Sequence, residues 1–223
     1  MKMIFDFHTH TFFSDGCLSP VELARRAADK GYGCIGIADH ASASNIELLI
    51  KSLKRDAEII EKYWPLQVLV GIELTHVPAE AVDSLAREAK KIGAQYVVVH
   101  GETVVEPVVK GTNLAAVNST AVDILAHPGL ITLEELKLAR QNNVFIELTS
   151  RSGHNITNGH VAALGRQAGV LFLVDSDAHD PSDLLTGERA NHVALGAGLL
   201  PDEVVTVLEK NPLIFLQKLG KNI

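Results

Sequence analysis

Apolar positions along this chain fall into two alternating periods, and their order outlines the fold. Short runs rich in Val, Ile and Leu occur at residues 3–7, 34–38, 67–74, 95–99, 122–126, 144–149 and 170–174, each of strand length. Between them the apolar positions spread to helical spacing and predict helices over 45–63, 78–92, 132–142 and 158–168. A further helix opens at Ser19-Pro20-Val21-Glu22. There Ser19 suits the N-cap, Pro20 the first helical position and Glu22 the return arm of a capping box. Gly31 ends that helix, and Pro65 blocks extension of the helix that precedes it. Residues 101–120 are the longest irregular stretch, with room for one short helix. After the last strand the chain reads as helices over 181–199, 201–210 and 212–219.

Strand-helix alternation predicts parallel strands joined by right-handed crossovers. Seven such units make either a closed barrel or a doubly wound sheet. With 223 residues and no repeat, low-complexity tract or linker, one domain over 1–223 is expected. Hydrophobic residues make up 47% of the chain but aromatics only 5%, so the core must be mainly aliphatic, as buried parallel strands covered by helices require.

The ends of the strands decide between the two architectures. His8 and His10 lie two residues apart at the end of the first strand, so both imidazoles face one side and can share a metal. Asp6 has the same parity, one step deeper, and is expected to support them. A lone His-x-His is an ordinary polar pair at a strand end. Here, however, Asp39-His40, Glu73, His100, His127-Pro128 and Asp175-Ser176-Asp177-Ala178-His179 close five of the other strands. Charged and imidazole groups directly after apolar runs need compensation, and metal ions supply it for all of them together. An open sheet concentrates its site at one switch point, whereas a barrel gathers every C-terminal strand end at one mouth. The barrel is therefore favoured.

The set His8-Thr9-His10, Ser14-Asp15-Gly16, Asp39-His40, Glu73, His100, His127-Pro128 and Asp177-Ala178-His179 resembles the PHP (polymerase and histidinol phosphatase) family of metal-dependent phosphoesterases. The pieces occur in the family's order and cover most of the chain. The resemblance implies an α/β fold, a distorted (β/α)7 TIM-like barrel forming a single PHP domain, with the metal site at the C-terminal mouth of the strands. It implies two to three divalent ions. One would take His8, His10, Glu73 and Asp177; a second His100 and His127, with Glu73 bridging; a third Asp15, His40 and His179. The Asp15 position varies between acid and imidazole in the family, which makes the third site the most variable. Mixed imidazole and carboxylate ligands suit Zn, Mn or Fe better than Ca or Mg.

The charge of such ions exceeds that of Asp15, Glu73 and Asp177, so the mouth would stay positive and suit a phosphomonoester dianion. The expected reaction is in-line attack on phosphorus by a metal-bridging hydroxide, without a covalent protein nucleophile. Arg151 and His154 follow the sixth strand at the same mouth. Arg151 is a natural bidentate phosphate clamp, and His154 is placed to protonate the leaving alkoxide; the plain alternatives are a surface arginine and a loop histidine. His76 falls in a mouth loop and is either a substrate contact or solvated. His160 and His192 sit in predicted helices and read as structural or surface residues. The 101–120 stretch, with Glu102, Glu106, Lys110 and Asn113, is either a wall that selects substrate or a surface excursion.

A formal net charge of -7 argues against a nucleic-acid partner and leaves a small phosphorylated metabolite, with histidinol phosphate or a nucleotide as candidates. Competing readings are a PHP-type exonuclease or phosphodiesterase, an amidohydrolase-type barrel, and a non-catalytic metal-stabilised scaffold. No basic track, no lysine at a strand end and no missing ligand position favours any of them. Cys17 and Cys34 form no CxxC pair, no apolar run is long enough to span a membrane, and the chain shows no signal-peptide pattern. The expectation is a cytoplasmic protein. Its oligomeric state, its exact substrate and the native metal are left open.

Overall fold

A computed structural model describes residues 3–221. In chain order the elements are β1 (Ile4–Asp6), α1 (Pro20–Asp29), β2 (Tyr32–Ile37), the two-residue β3 (His40–Ala41), α2 (Ile46–Tyr63), β4 (Gln67–Leu74), α3 (Val82–Ile92), β5 (Tyr96–His100) and α4 (Thr112–Asn118). They continue with β6 (Ile124–Ala126), α5 (Leu133–Gln141), β7 (Phe145–Thr149), α6 (Asn158–Ala168), β8 (Phe172–Asp175), α7 (Gly187–Gly196), α8 (Pro201–Val205) and α9 (Asn211–Lys218). Seven strands pair in parallel in the order β1-β2-β4-β5-β6-β7-β8, and β3 adds a short rung beside β4 with His40 opposite Glu73. Beyond the ends of β1 and β8 the ring closes: the Asp177 N–H donates to the His8 carbonyl at 2.9 Å and the His10 N–H to the Ala178 carbonyl at 2.9 Å. This is a distorted, nearly closed (β/α)7 barrel, the architecture that the residues at the strand ends favoured over a doubly wound sheet.

Alternation along each strand sorts the core into two layers. Val68, Val70, Ile72, Val97, Val99, Ile146 and Leu148 face the surrounding helices, whereas Phe7, Leu69, Tyr96, Val98, Phe145 and Leu173 fill the interior. From α9, Phe215 closes the end of the barrel remote from the mouth, its ring centroid 4.8 Å from Phe7, 5.1 Å from Phe145 and 5.9 Å from Tyr96. Gly71 leaves the space that the Tyr96 ring occupies; a Cβ there would lie 2.4 Å from the ring.

The buried Tyr96 hydroxyl donates to the Phe7 carbonyl at 2.8 Å, and that of Tyr32 donates to Asp6 at 3.3 Å. Burial, reinforced by Asp175 near Tyr96 and by Asp6 beside Tyr32, holds both phenols well above their ordinary value of 10. Above pH 10 the unfolded chain gives up these protons while the folded chain keeps them, so this part of the stability is complete below about pH 10 and is lost as pH rises further. In an alkaline titration, phenolate absorbance from Tyr32 and Tyr96 should therefore appear together with the loss of far-ultraviolet circular dichroism. Their ionisation in a chain that stays folded would contradict this.

Several local expectations change in three dimensions. Ser19 accepts from the Glu22 N–H at 3.1 Å, but the Glu22 carboxylate accepts from Arg26 instead of turning back to the cap. The predicted helix 181–199 shrinks to α7 because Asp183 accepts from the His179 and Asp180 N–H groups and Thr186 caps Arg189, which makes the preceding residues a turn. The helices predicted over 201–210 and 212–219 run together through one π-helical turn, Thr206–Lys210, just before Pro212, whose ring nitrogen has no hydrogen to donate. The helix expected over 78–92 begins as a 3-10 turn, Ala79–Ala81. Within 101–120 the anticipated short helix is α4. Among the described residues, no helix is long and apolar enough to cross a membrane.

Candidate metal centre

The ligand-type residues reach the mouth from six different places in the chain. His8 and His10 follow β1, His40 opens β3, Glu73 lies near the end of β4, His100 ends β5, His127 follows β6, and Asp177 and His179 follow β8. Asp15 comes from the turn after His10. Asp39 folds that turn by accepting from the Thr11 N–H, the Thr11 hydroxyl and the Ser14 hydroxyl, each at 2.7 Å. Gly16 lets the turn lie against the strand end, since a Cβ would come within 2.5 Å of the His10 carbonyl oxygen.

Glu73 is the hub. Its Oε1 lies 3.3 Å from His8 Nε2 and 3.7 Å from His127 Nε2, and its Oε2 lies 2.5 Å from His40 Nδ1. Asp177 stands opposite, with Oδ1 3.1 Å from His10 Nε2 and 3.8 Å from His8 Nε2, and Oδ2 3.6 Å from His127 Nε2. On the outer side Asp15 Oδ1 lies 3.3 Å from His40 Nε2 and 3.1 Å from His179 Nε2. Five groups among the described residues converge closely enough to hold an ion, each with its potential ligand atoms within 4.8 Å of one another: His10, Asp15, His40 and His179; His8, His10 and Glu73; Glu73, His100 and His127; His8, His127 and Glu147; and His76, His100 and Glu106. His10 belongs to the first two groups, so it lies between the sites that the resemblance keeps separate.

Three of the four non-glycine residues with positive φ among the described residues are at this mouth: His76 (52°), His127 (28°) and Asp177 (52°). The left-handed backbone, strained for residues with a Cβ, turns these side chains where an ordinary strand continuation would not.

Burial opposes ionisation of Glu73, yet His8, His40 and His100 hold its carboxyl well below the usual range. Asp177 is also depressed despite burial, through His8 and His10. Burial likewise opposes the imidazolium of His40, but Glu73 and Asp15 raise it to about 10. His8 is raised well above its ordinary value against burial by Glu147, Asp177 and Glu73. Burial lowers His10 to about 4 and, with His100, lowers His127 well below the ordinary value. Protons on His8 and His40 thus stand where the carboxylates call for cations. His8 Nε2, both His10 nitrogens, His127 Nδ1 and Glu73 Oε1 are buried without a hydrogen bond. Unpaired buried imidazole and carboxylate atoms facing one another are what divalent metal ions would satisfy, and the donor set fits Zn, Mn or Fe.

Arg151, His154 and His76 line the mouth cavity of about 270 Å³ together with Asp15, His40 and Glu106. Arg151 is partly exposed and donates to Asp183 at 3.2 Å. His154 is buried, with its ring centroid 4.4 Å from that of His127, and burial lowers its pKa. His76 is exposed and lies 3.2 Å from Glu106. His160 bonds the Ile131 carbonyl at 2.8 Å, a structural contact, and His192 is exposed.

Asp6 corrects an expectation. The chain leaves regular strand geometry after β1, so the Asp6 carboxylate does not share the face of His8 and His10. It accepts from the Ser176 N–H at 3.1 Å, the Tyr32 hydroxyl at 3.3 Å and the His8 main-chain N–H at 3.4 Å, so it braces the His8 backbone and not its ring. Beneath His8 lies Glu147, a fully buried residue in the middle of β7 whose Oε2 is 2.6 Å from His8 Nδ1. Sequence reasoning passed over Glu147; the available signal was a lone acid inside an otherwise apolar strand. Glu106, in the stretch read as either a substrate-selecting wall or a surface excursion, reaches His100 Nε2 at 3.1 Å and His154 Nε2 at 3.3 Å. Cys17 is exposed; its thiol points to Asp180 at 3.7 Å and its N–H donates to the His179 carbonyl at 2.8 Å.

A parallel barrel with imidazoles and carboxylates from nearly every strand end gathered at its C-terminal mouth defines a class of barrel suited to several metal ions at once. The PHP domain model matches residues 6–127, more than half of the chain, and the chain belongs to the PHP domain family. An uncharacterised protein of Methanocaldococcus jannaschii is 49% identical over 218 residues, covering 97% of this chain and 100% of its own. A probable phosphatase of a Thermoanaerobacter species is 29% identical over 223 residues, covering 92% of this chain and 91% of its own. Among solved structures, histidinol phosphate phosphatase of Lactococcus lactis, complexed with zinc, L-histidinol and phosphate, shares the fold. Its TM-score is 0.59 at 14% identity, over 88% of this chain and 94% of that one.

Proposed function

We propose that this chain is a metal-dependent phosphatase that hydrolyses a small phosphomonoester, of the histidinol-phosphate or nucleotide kind, in the cytoplasm. The observation that carries this reading is Glu73, a fully buried carboxylate whose oxygens lie within 3.7 Å of His8, His40 and His127. Family membership and the phosphatase relative support the reaction class.

His8, His10, Glu73 and Asp177 would hold one ion, and His100, His127 and Glu73 a second. Asp15, His40 and His179 would hold a third. The zinc in the Lactococcus lactis structure supports a transition metal here, and Zn, Mn or Fe is proposed. When bound, such ions lower the pKa of water and neutralise phosphoryl oxygens, so that attack on phosphorus proceeds at neutral pH. The chain's own residues orient the ester. Arg151 leaves Asp183 to grip two nonbridging oxygens, His154 stands by the leaving oxygen, and His76 contacts the departing alcohol. Burial keeps His154 deprotonated in the absence of substrate, so its work as a proton donor requires the dianion to raise its pKa. No side chain need form a covalent phosphoryl intermediate.

Replacing Arg151 with Ala should raise KM at least about tenfold, the scale of a lost charge-assisted pair, while metal content stays unchanged. Unchanged kinetics would remove Arg151 from substrate binding. The reading as a whole is tested by purifying the protein without chelator, measuring bound metal, and comparing hydrolysis of p-nitrophenyl phosphate and bis-p-nitrophenyl phosphate with added Mn or Zn. Bound metal with monoester turnover supports a phosphatase. Preference for the diester moves the assignment to a phosphodiesterase or exonuclease, and metal with neither activity favours a scaffold.

A further inference from the structure

We infer that Glu147 is a positioning residue of the metal centre: it holds the His8 ring from behind, through Nδ1–H, and so makes Nε2 the nitrogen that faces a metal. The inference rests on the metal-dependent reading above and adds to it a residue outside the expected ligand set.

The two nitrogens of His8 look in opposite directions. Nε2 faces Glu73 Oε1 at 3.3 Å and Asp177 Oδ1 at 3.8 Å, whereas Nδ1 faces Glu147 Oε2 at 2.6 Å. Both side chains are completely buried. An ion bound to two protein atoms by bonds of about 2 Å keeps those atoms roughly 3 Å or more apart. His8, His127 and Glu147 also converge within 4.8 Å, but a 2.6 Å separation is that of a charge-assisted hydrogen bond, so the contact between Glu147 Oε2 and Nδ1 reads as a hydrogen bond rather than a shared ion.

The register of β7 explains how Glu147 gets there. Phe145, Glu147 and Thr149 share the inward face, and Phe145 packs in the apolar interior with Leu173. Glu147 pairs in register with Leu173 on β8 and is the first charged residue above that apolar floor. A carboxylate at this depth, with Oε1 lacking any hydrogen bond, is costly unless it serves a cationic or polarised partner. The only hydrogen bond recorded for its side chain among the described residues is the one to His8. An acceptor behind a metal-binding imidazole selects the tautomer, fixes the ring plane and makes the opposite nitrogen more basic.

The test compares wild-type protein with Glu147→Gln, which keeps shape and removes the charge. Zn and Mn affinities are measured by chelator competition, with circular dichroism to check the fold. The tautomer of His8 is read by long-range nitrogen-proton NMR in Zn-loaded wild-type protein, its ring assigned by loss in His8→Asn. Expected are a His8 proton on Nδ1 and affinity about 10- to 100-fold weaker in Glu147→Gln. Equal affinities in the two proteins, or a His8 proton on Nε2, would overturn the inference. The NMR arm uses wild-type protein alone and decides the matter even if the variant does not fold. Wild-type protein that takes up no Zn or Mn would instead overturn the metal-dependent reading itself.

Discussion

Changing Glu73 to Gln should strip at least one metal from the protein and lower phosphomonoester turnover by about 1000-fold or more, equivalent to about 4 kcal/mol in the barrier. The side chain keeps its volume but loses the charge shared by His8, His40 and His127. The metal-free protein should suffer too. Glu73 and His40 sustain one another, burial being outweighed by their mutual attraction, and His40 stands at about 10. A base raised in this way contributes stability that is complete below its ordinary value of 6.5 and is lost as pH rises through about 10. At pH 7 that contribution is still present in the wild type and goes with the carboxylate. Removing one partner of a buried pair costs about 3 to 5 kcal/mol. Metal analysis, p-nitrophenyl phosphate kinetics and urea melts of the chelated proteins check the three parts. Wild-type metal content and turnover in this variant would reject Glu73 as the hub.

The second large effect is expected at the opposite end of the barrel. Phe215 is completely buried against Phe7, Tyr96 and Phe145. Cutting it to Ala removes the plug and leaves a cavity enclosed by strands that are hydrogen-bonded around the ring and cannot readily collapse. The cost should be about 3 to 5 kcal/mol, which for a chain of this size lowers Tm by about 10 °C. Metal binding and catalysis below the new transition should be nearly unchanged, because the rings that Phe215 packs against, Phe7, Tyr96 and Phe145, are not among the ligand-type residues. Thermal melts and metal titrations of Phe215→Ala check this. A loss under about 1 kcal/mol would mean that the helix does not seal the barrel.

These two residues differ in how visible they are in the sequence. Glu73 is legible because an acid after Val68-Leu69-Val70-Gly71-Ile72 stands out at the end of an apolar strand, and five other strands end in the same residue classes. Phe215 is one apolar residue in a terminal amphipathic helix, and nothing local says that it enters a barrel. Glu147 has the same difficulty. In Phe145-Ile146-Glu147-Leu148-Thr149 each face carries a large apolar residue, and only pairing with β8 reveals which face looks inward. Asp6 shows the reverse failure: strict alternation put it with His8 and His10, but the chain departs from strand geometry between them to close the ring.

Strand and helix order, the barrel class and the ligand-type residues at the strand ends were determined by sequence alone, because apolar period and residue chemistry are local properties. Tertiary structure decided the rest. It brought Glu106 across the mouth to His100 and His154, bent the backbone at His127 and Asp177 into the left-handed region, placed His10 between two candidate sites, and set Glu147 behind His8. Each depends on the register between strands far apart in the chain and on how the ring closes. Distances of a few ångströms between such residues arise only when the whole sheet is assembled.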